Sequence, residues 1–429
     1  MIIQNVKGGY DFLPKEQRIR NYINGILRDT FERFGYEPIE TPILCYFDML
    51  AGKYDESNDI LNEIYKLRDQ GNRELGLRYD LTVPFAKFIA LNKNNIKLPF
   101  KRYEINKVFR DGPVKVGRDR EFTQCDVDVV GLEGQFIEAE LMSLYVDAFN
   151  KLQIPINIKY NSRKLMSGLI IETGVEEELI SNTITIIDKI DKLTEFELTN
   201  EFLNIGLNNT QITKLIEYFK YDLKELTTIF KKTDNTLLKE GLEELNTLTK
   251  YLKKLKLSKY TTFTPSLARG QDYYTGNVFE VYETTGKLTG AIGGGGRYDK
   301  MITDFINDGT IYPAVGISFG LTSIFALLSN REDLNKESDI DIYIIPMGTE
   351  IESLKIANEL RNLSYKVDIE MENKKLKKSL DYCNKVGIPY VIILGENEIT
   401  NKEFKIKNMF TREEYSIKLN EIDKIKDIL

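Results

Sequence analysis

Residues 121–130, EFTQCDVDVV, alternate as a β-strand does, and the alternation separates two chemistries. Phe122, Gln124, Asp126 and Asp128 share one face, while Thr123, Cys125, Val127 and Val129 share the other. One face can therefore pack on a core, and the opposite face offers a ring, an amide and two carboxylates. Arg110 ends the preceding strand-like stretch, and Arg118 and Arg120 close the loop between the two. Guanidinium groups match phosphate oxygens, a ring can carry a base, and carboxylates can hold an amine. That set suits ATP together with an amino acid. The strand by itself also fits a solvated sheet face, because polar residues alternate wherever one side of a sheet meets water.

Two further segments carry unusual residue sets. Leu267 to Gly276, LARGQDYYTG, puts Arg269, Asp272, Tyr273 and Tyr274 among glycines, although Gly and Asp also mark ordinary turns. Gly293 to Gly296 precede Arg297, Tyr298 and Asp299. Four glycines let a backbone approach a ligand closely. The spacing is neither GxxxxGK[ST] nor GxGxxG, so the nucleotide folds built on those loops are not indicated.

These segments need a scaffold, and hydrophobic periodicity supplies one. Residues 15–34 predict a helix with Gly35 as its C-terminal cap. Tyr36 to Leu44 is extended and contains Pro42, which suits an edge or interface but not a central strand. Leu77 to Phe85 predicts a strand running into a helix over Pro84 to Asn92. Arg102–Arg110 and Glu121–Val130 form a long antiparallel hairpin whose loop, 111–120, is basic. A helix over 137–152 and a strand over 154–160 follow. Residues 165–256 are rich in Lys, Glu, Leu, Thr and Asn with almost no strand signal, and read as a helical insertion. Its last helix carries the stripe Leu237, Leu242, Leu245, Leu248, Leu252 and Leu255. Strands return at 259–283, and Ala314–Phe319 is a strand followed by a helix. Hairpins with flanking helices predict an α+β domain on an antiparallel sheet. Beyond a polar linker, 331–338, strand–helix alternation over 339–429 predicts a small, mostly parallel α/β domain. The expected organisation is a catalytic domain in two parts, 1–164 and 257–330, split by the insertion 165–256 and followed by linker and C-terminal domain.

Composition excludes several function classes. The 429 residues include no histidine, which removes every mechanism that needs an imidazole base, triad member or zinc ligand. A net charge of -7 advertises no bulk nucleic-acid binder, so an RNA partner would rest on local basic patches such as Lys374–Lys378. Cys45, Cys125 and Cys383 have no metal-ligand spacing, and a reducing cytoplasm is the expected compartment. The N-terminus has no basic segment followed by an apolar run, and no stretch of 18 apolar residues exists, so neither a signal peptide nor a membrane span is expected.

Taken in order, six segments resemble the histidyl-tRNA synthetases of class II: GGYDFLP, GYEPIETPIL, FRDGPVKVGRDREFTQCDVDVVG, LARGQDYYTGNVFEVY, GGGGRYDKM and AVGISFGL. The second resembles motif 1, with Pro42 at the proline of its dimer interface. The third resembles motif 2, the next two the signatures peculiar to histidyl enzymes, and the last the start of motif 3. The resemblance implies a class II antiparallel catalytic domain with a helical insertion, and a C-terminal α/β anticodon-binding domain. It implies ligation of histidine to tRNA(His) using ATP with Mg2+, a homodimer, no resident metal and no tightly held cofactor.

The family's roles carry over position by position. Asp80, Thr82 and Gln124 match the residues that hold the substrate's α-amino group. Asp128 and Tyr274, with Tyr273 beside them, match those at the imidazole, where a carboxylate and a phenol can bind both ring nitrogens. Arg110 and Arg269 match the arginines on either side of the ATP α-phosphate. Phe122 matches the residue under adenine, and Arg118 falls where triphosphate or acceptor-stem contacts lie. The chain departs from the pattern in three places: Gly320-Leu321-Thr322-Ser323 stands where motif 3 reads GLER, Asp111 and Gly112 follow Arg110 where motif 2 reads FRxE, and Gln271 replaces a usual leucine. The competing expectation is a non-catalytic, histidine-binding paralogue that regulates ATP phosphoribosyltransferase. Such proteins generally lack the C-terminal domain and the ARGxDYYTG signature.

Overall fold

The structure is a computed structural model, and it describes residues 3–52, 60–114, 119–269 and 273–429. The chain divides into two compact units: Met1–Asp11 with Arg20–Leu327, and Phe12–Ile19 with Leu328–Leu429.

In the first unit the strands are β1 (Glu37–Pro38), β2 (Leu44–Tyr46), β3 (Lys66–Arg68), β4 (Glu74–Leu77), β5 (Phe100–Phe109), β6 (Glu121–Val130), β7 (Ile156–Ser162), β8 (Thr261–Phe263), β9 (Asn277–Glu283), β10 (Gly293–Arg297) and β11 (Ala314–Gly320). Eight of them form one sheet in the order β1-β5-β6-β11-β10-β9-β7-β8, and β2-β4-β3 form a small second sheet. The large sheet is antiparallel except at its two outer pairs, β1 with β5 and β7 with β8. The β5–β6 hairpin pairs along its full length, from Phe100 opposite Val130 to Phe109 opposite Glu121.

Helices Pro14–Arg33 and Phe136–Lys151 cover one face of this sheet. Phe31, Tyr145 and Phe149 bring their rings within 4.7–5.5 Å of Phe319. Cys125, opposite Phe319 in the register, points to the same covered side. The apolar half of the β6 alternation is thus the core half.

Several local expectations shift. The strand expected over Leu77–Phe85 ends at Leu77, and the helix starts at Thr82. The Asp80 carboxylate accepts the Val83 backbone N–H, which closes the first turn there, and Pro84 is tolerated within that turn. The glycine cluster, read only as a place of close approach, is strand β10 at the heart of the sheet. Pro42 falls between β1 and β2.

Helices joined by short turns fill most of 163–254, from Arg163–Glu172 to Thr236–Lys254, where a helical segment over 165–256 was expected. In the last helix the buried stripe is Leu238, Leu242, Leu245, Leu248 and Leu252. Leu237, one residue off that stripe, and Leu255, at the C-cap, are exposed. Gly241 lets this helix cross Arg163–Glu172, since a Cβ there would stand 2.4 Å from the Leu165 nitrogen.

The second unit has its own sheet of β12 (Ile342–Met347), β13 (Val367–Ile369), β14 (Tyr390–Gly395), β15 (Glu403–Asn408) and β16 (Glu414–Lys418), in the order β13-β12-β14-β15-β16. The β12–β13 and β12–β14 pairs are parallel, as expected, but β14–β15 and β15–β16 are antiparallel, so the sheet is mixed rather than mostly parallel. Among the described residues no helix is long and apolar enough to cross a membrane.

Candidate active site

The sheet's second face carries the chemistry, and its registers arrange it in two rungs. One runs Glu280, Gly294, Ser318, Asp126, Glu104 across β9, β10, β11, β6 and β5. The next runs Val278, Gly296, Gly316, Asp128, Arg102. This face is not solvated: Asp126 is 4% exposed and Asp128 3%. A cavity of about 140 Å³ opens over it, lined by Asp80, Thr82, Arg110, Gln124, Asp126, Asp128, Arg269, Tyr273, Tyr274 and Tyr298, with Gly294, Gly295, Gly316, Ile317 and Ser318 as its floor.

The floor is backbone because side chains from other segments occupy the space above it. A Cβ on Gly294 would meet the Arg269 guanidinium at 2.6 Å, one on Gly296 the Tyr274 ring at 2.8 Å, and one on Gly316 the Asp128 carboxylate at 1.8 Å. The glycines therefore make room for an arginine, a tyrosine and a carboxylate arriving from neighbouring elements.

Asp128 is held at both oxygens. Tyr298 donates its hydroxyl to Oδ1 at 2.5 Å, and Arg102 pairs with Oδ2 at 2.6 Å. Arg102 is fully buried and lies over the Phe85 ring. Burial raises the Asp128 carboxyl above its usual range while Arg102 opposes the rise. Asp126, also buried and beside Asp128, is pushed up to about 7. Burial likewise drives the Tyr298 hydroxyl well above its ordinary value. Arg269 ion-pairs with Glu280 at 2.7 Å, and Tyr282 hydrogen-bonds the other oxygen of that carboxylate. Burial opposes the Arg269 charge, but Tyr274 and Glu280 outweigh it and hold the guanidinium protonated. Ala268, next in sequence, packs into the core of the helical insertion, which anchors this arginine from behind.

Arg110 stacks on Tyr79 and on Phe122, 4.2 and 4.9 Å from the ring centroids. Of the residues singled out in the sequence, Asp80, Thr82, Arg110, Gln124, Asp128, Arg269, Tyr273 and Tyr274 share the cavity. Phe122 reaches it through Arg110. Arg118 and Gln271 lie outside the described residues. Thr322 and Ser323 open the helix Leu321–Leu328 that follows β11, and Asp111 pairs with Arg120 at 3.3 Å. Sequence reasoning left Arg102, Glu280, Tyr298 and Ser318 without a role. Arg102 was within reach, because pairing the hairpin from its loop sets it opposite Asp128. Among the described residues no group of three or more Cys, Asp or Glu side chains could hold a metal ion.

Buried carboxylates and tyrosines, with two arginines in the same lining, give one cavity groups for a cation and groups for an anion. Comparison with known proteins identifies the same arrangement of domains. The histidyl-tRNA synthetase family model matches residues 8–324, and an anticodon binding domain model matches 341–427. The chain is 45% identical to histidine–tRNA ligase 1 of Bacillus anthracis over 424 residues, covering 98% of this chain and 99% of that one. It superposes on the histidyl-tRNA synthetase of Nostoc sp. PCC 7120 with a TM-score of 0.86 at 28% identity, covering 100% of both chains. An ATP phosphoribosyltransferase regulatory subunit/histidyl-tRNA synthetase from Bacillus halodurans C shares the fold, with a TM-score of 0.76 at 19% identity over 92% of this chain and 99% of that one. This chain belongs to the histidyl-tRNA synthetase family.

Proposed function

We propose that the protein activates histidine with ATP and Mg2+, and transfers the histidyl group to the 3′ end of tRNA(His) as a cytoplasmic homodimer. The observation that carries this reading is the pairing of Asp128 and Tyr274 over one glycine floor, with Arg110 and Arg269 lining the same cavity. A neutral imidazole has one donor and one acceptor, and a fixed carboxylate with a phenol satisfies both. An amino acid lacking either nitrogen leaves a buried polar group unpaired, which discriminates strongly.

In this reading Asp80, Thr82 and Gln124 take the α-ammonium group, which points the substrate carboxylate toward the arginines. That carboxylate attacks the α-phosphorus of ATP and pyrophosphate leaves. Arg110 and Arg269 stabilise the charge that builds on the phosphate, acting from fixed positions with little reorganisation. Phe122, stacked against Arg110, lies where adenine would sit, and Arg118 belongs with the triphosphate or acceptor stem. The ribose hydroxyl at the tRNA end then attacks the adenylate. No step needs a histidine from the protein.

The regulatory paralogue is the weaker reading, since the chain retains both the LARGQDYYTG segment and a C-terminal unit matching an anticodon binding domain. Pyrophosphate exchange with ATP and each of the twenty amino acids tests the choice. Exchange with histidine alone is the expected result, with Ser323 tolerated at the motif 3 position. Histidine binding without exchange would overturn the ligase and leave a sensor.

A further inference from the structure

Three acceptors of cavity-lining residues are buried without a hydrogen-bond partner, and one of them, Asp128 Oδ2, is ion-paired with Arg102. The other two are Gln124 Oε1 and Asp126 Oδ1, and their residues are two apart on one face of β6. Ser318 adjoins both residues. Its Oγ accepts from Gln124 Nε2 at 3.4 Å, and Ser318 stands directly opposite Asp126 in the β6–β11 register. The amide nitrogen is thus taken, while the amide oxygen and one carboxylate oxygen stay unpartnered and buried in two residues that line the cavity. Arg102, the cation that acts on Asp126, makes its close ion pair with Asp128 instead. A buried carboxylate with a free oxygen calls for a cationic donor.

We propose that Asp126 is a substrate-binding residue that no role carried over from the family covers: its free oxygen, with Gln124 Oε1, receives the α-ammonium group of the amino acid, and Ser318 is the positioning residue for both. An ammonium group has three donors and one positive charge. Its spacing also fits, because Asp126 stands between Gln124 at the amine end and Asp128 at the ring end, about 7 Å from each along the strand. The inference rests on histidine being the substrate, and its test separates the two claims.

The test uses two analogues and the full-length protein. Histamine keeps the ring and the ammonium group; 3-(imidazol-4-yl)propanoate keeps the ring and the carboxylate but has no amine. Ligand-observed NMR gives their dissociation constants, and histidine's, for the parent protein, for Asp126→Asn and for Ser318→Ala. Asp126→Asn is expected to weaken histidine and histamine about tenfold or more while leaving the propanoate within twofold. Ser318→Ala is expected to show the same split at about threefold, and carries the test if the first variant does not fold. Equal weakening of both analogues would overturn the proposal in favour of a ring contact or a structural role, and so would no weakening of either. Failure of the parent protein to bind histidine would instead bring down the substrate assignment, and this inference with it.

Discussion

Replacing Gly316 by alanine adds one methyl group at the centre of the site. The added Cβ would stand 1.8 Å from Asp128 Oδ1 and 2.6 Å from its Cγ, against 3.4 Å for ordinary contact. The oxygen must therefore withdraw by about 1.6 Å, more than the 2.5 Å bond from Tyr298 and the 2.6 Å pair with Arg102 can absorb. The neighbouring backbone is tight but closer to tolerable, with the Val127 carbonyl at 3.2 Å, so the change falls mainly on the carboxylate. A displaced Asp128 forfeits a hydrogen bond from the imidazole to a charged acceptor, worth about 1.5–3 kcal/mol. At about 1.4 kcal/mol per tenfold, kcat/KM for histidine in pyrophosphate exchange should fall about 10- to 150-fold. Gly290→Ala, with nothing within 4 Å of its Cβ, is the control and should leave exchange unchanged. A folded Gly316→Ala protein with the parent's kcat/KM would refute the role given to Asp128.

Other predictions follow from the same geometry. Arg269→Ala should lower kcat in exchange about 10²- to 10³-fold with a much smaller change in histidine affinity, as loss of one preorganised charge partner does; a fall in affinity alone would count against it. Asp126 binds its proton more tightly folded, at about 7, than unfolded, near 3.8. Its contribution to stability is thus fully present below about pH 4 and lost as pH rises through about 7. Asp126→Asn should accordingly gain melting temperature over the parent at pH 8, with the gain vanishing at pH 4; a pH-independent difference would exclude that ionisation. Gly25→Ala, in the helix Pro14–Arg33 with open space around its Cβ, should raise stability by about 0.5–1 kcal/mol in denaturant unfolding.

What the sequence made legible depended on whether a side chain announced its surroundings. The period-two face of β6 put Gln124, Asp126 and Asp128 together because each has a side chain and the apolar alternates set the core side. Strand β10 has no such signal: four glycines carry no hydrophobic period, so its place between β9 and β11 emerges only from backbone pairing. Tyr298 and Ser318 are far from Asp128 and Asp126 in the chain, and their roles depend on strand order, which local pattern does not determine. Motif likeness bridged that gap for Arg110, Arg269 and Tyr274, but it could not orient Asp126. In the β15–β16 hairpin Phe404 and Ile406 alternate with Lys405 and Lys407, a period-two pattern as legible as that of β6, and the two apolar residues pack into the domain's core.

The glycine floor also limits how the protein can change over evolutionary time. At each position from Gly293 to Gly296 a Cβ would come within 3.0 Å of another atom: the Ser318 carbonyl, the Arg269 guanidinium, the Gly316 carbonyl, and the Asn277 carbonyl with the Tyr274 ring. Any coding change that replaces one of these glycines adds that Cβ. Four consecutive positions therefore have few neutral neighbours in sequence space, because each step collides with backbone or with a side chain that does the chemistry. New specificity must come from the walls, at residues such as Asp126, Asp128 and Tyr274, while the floor stays as it is.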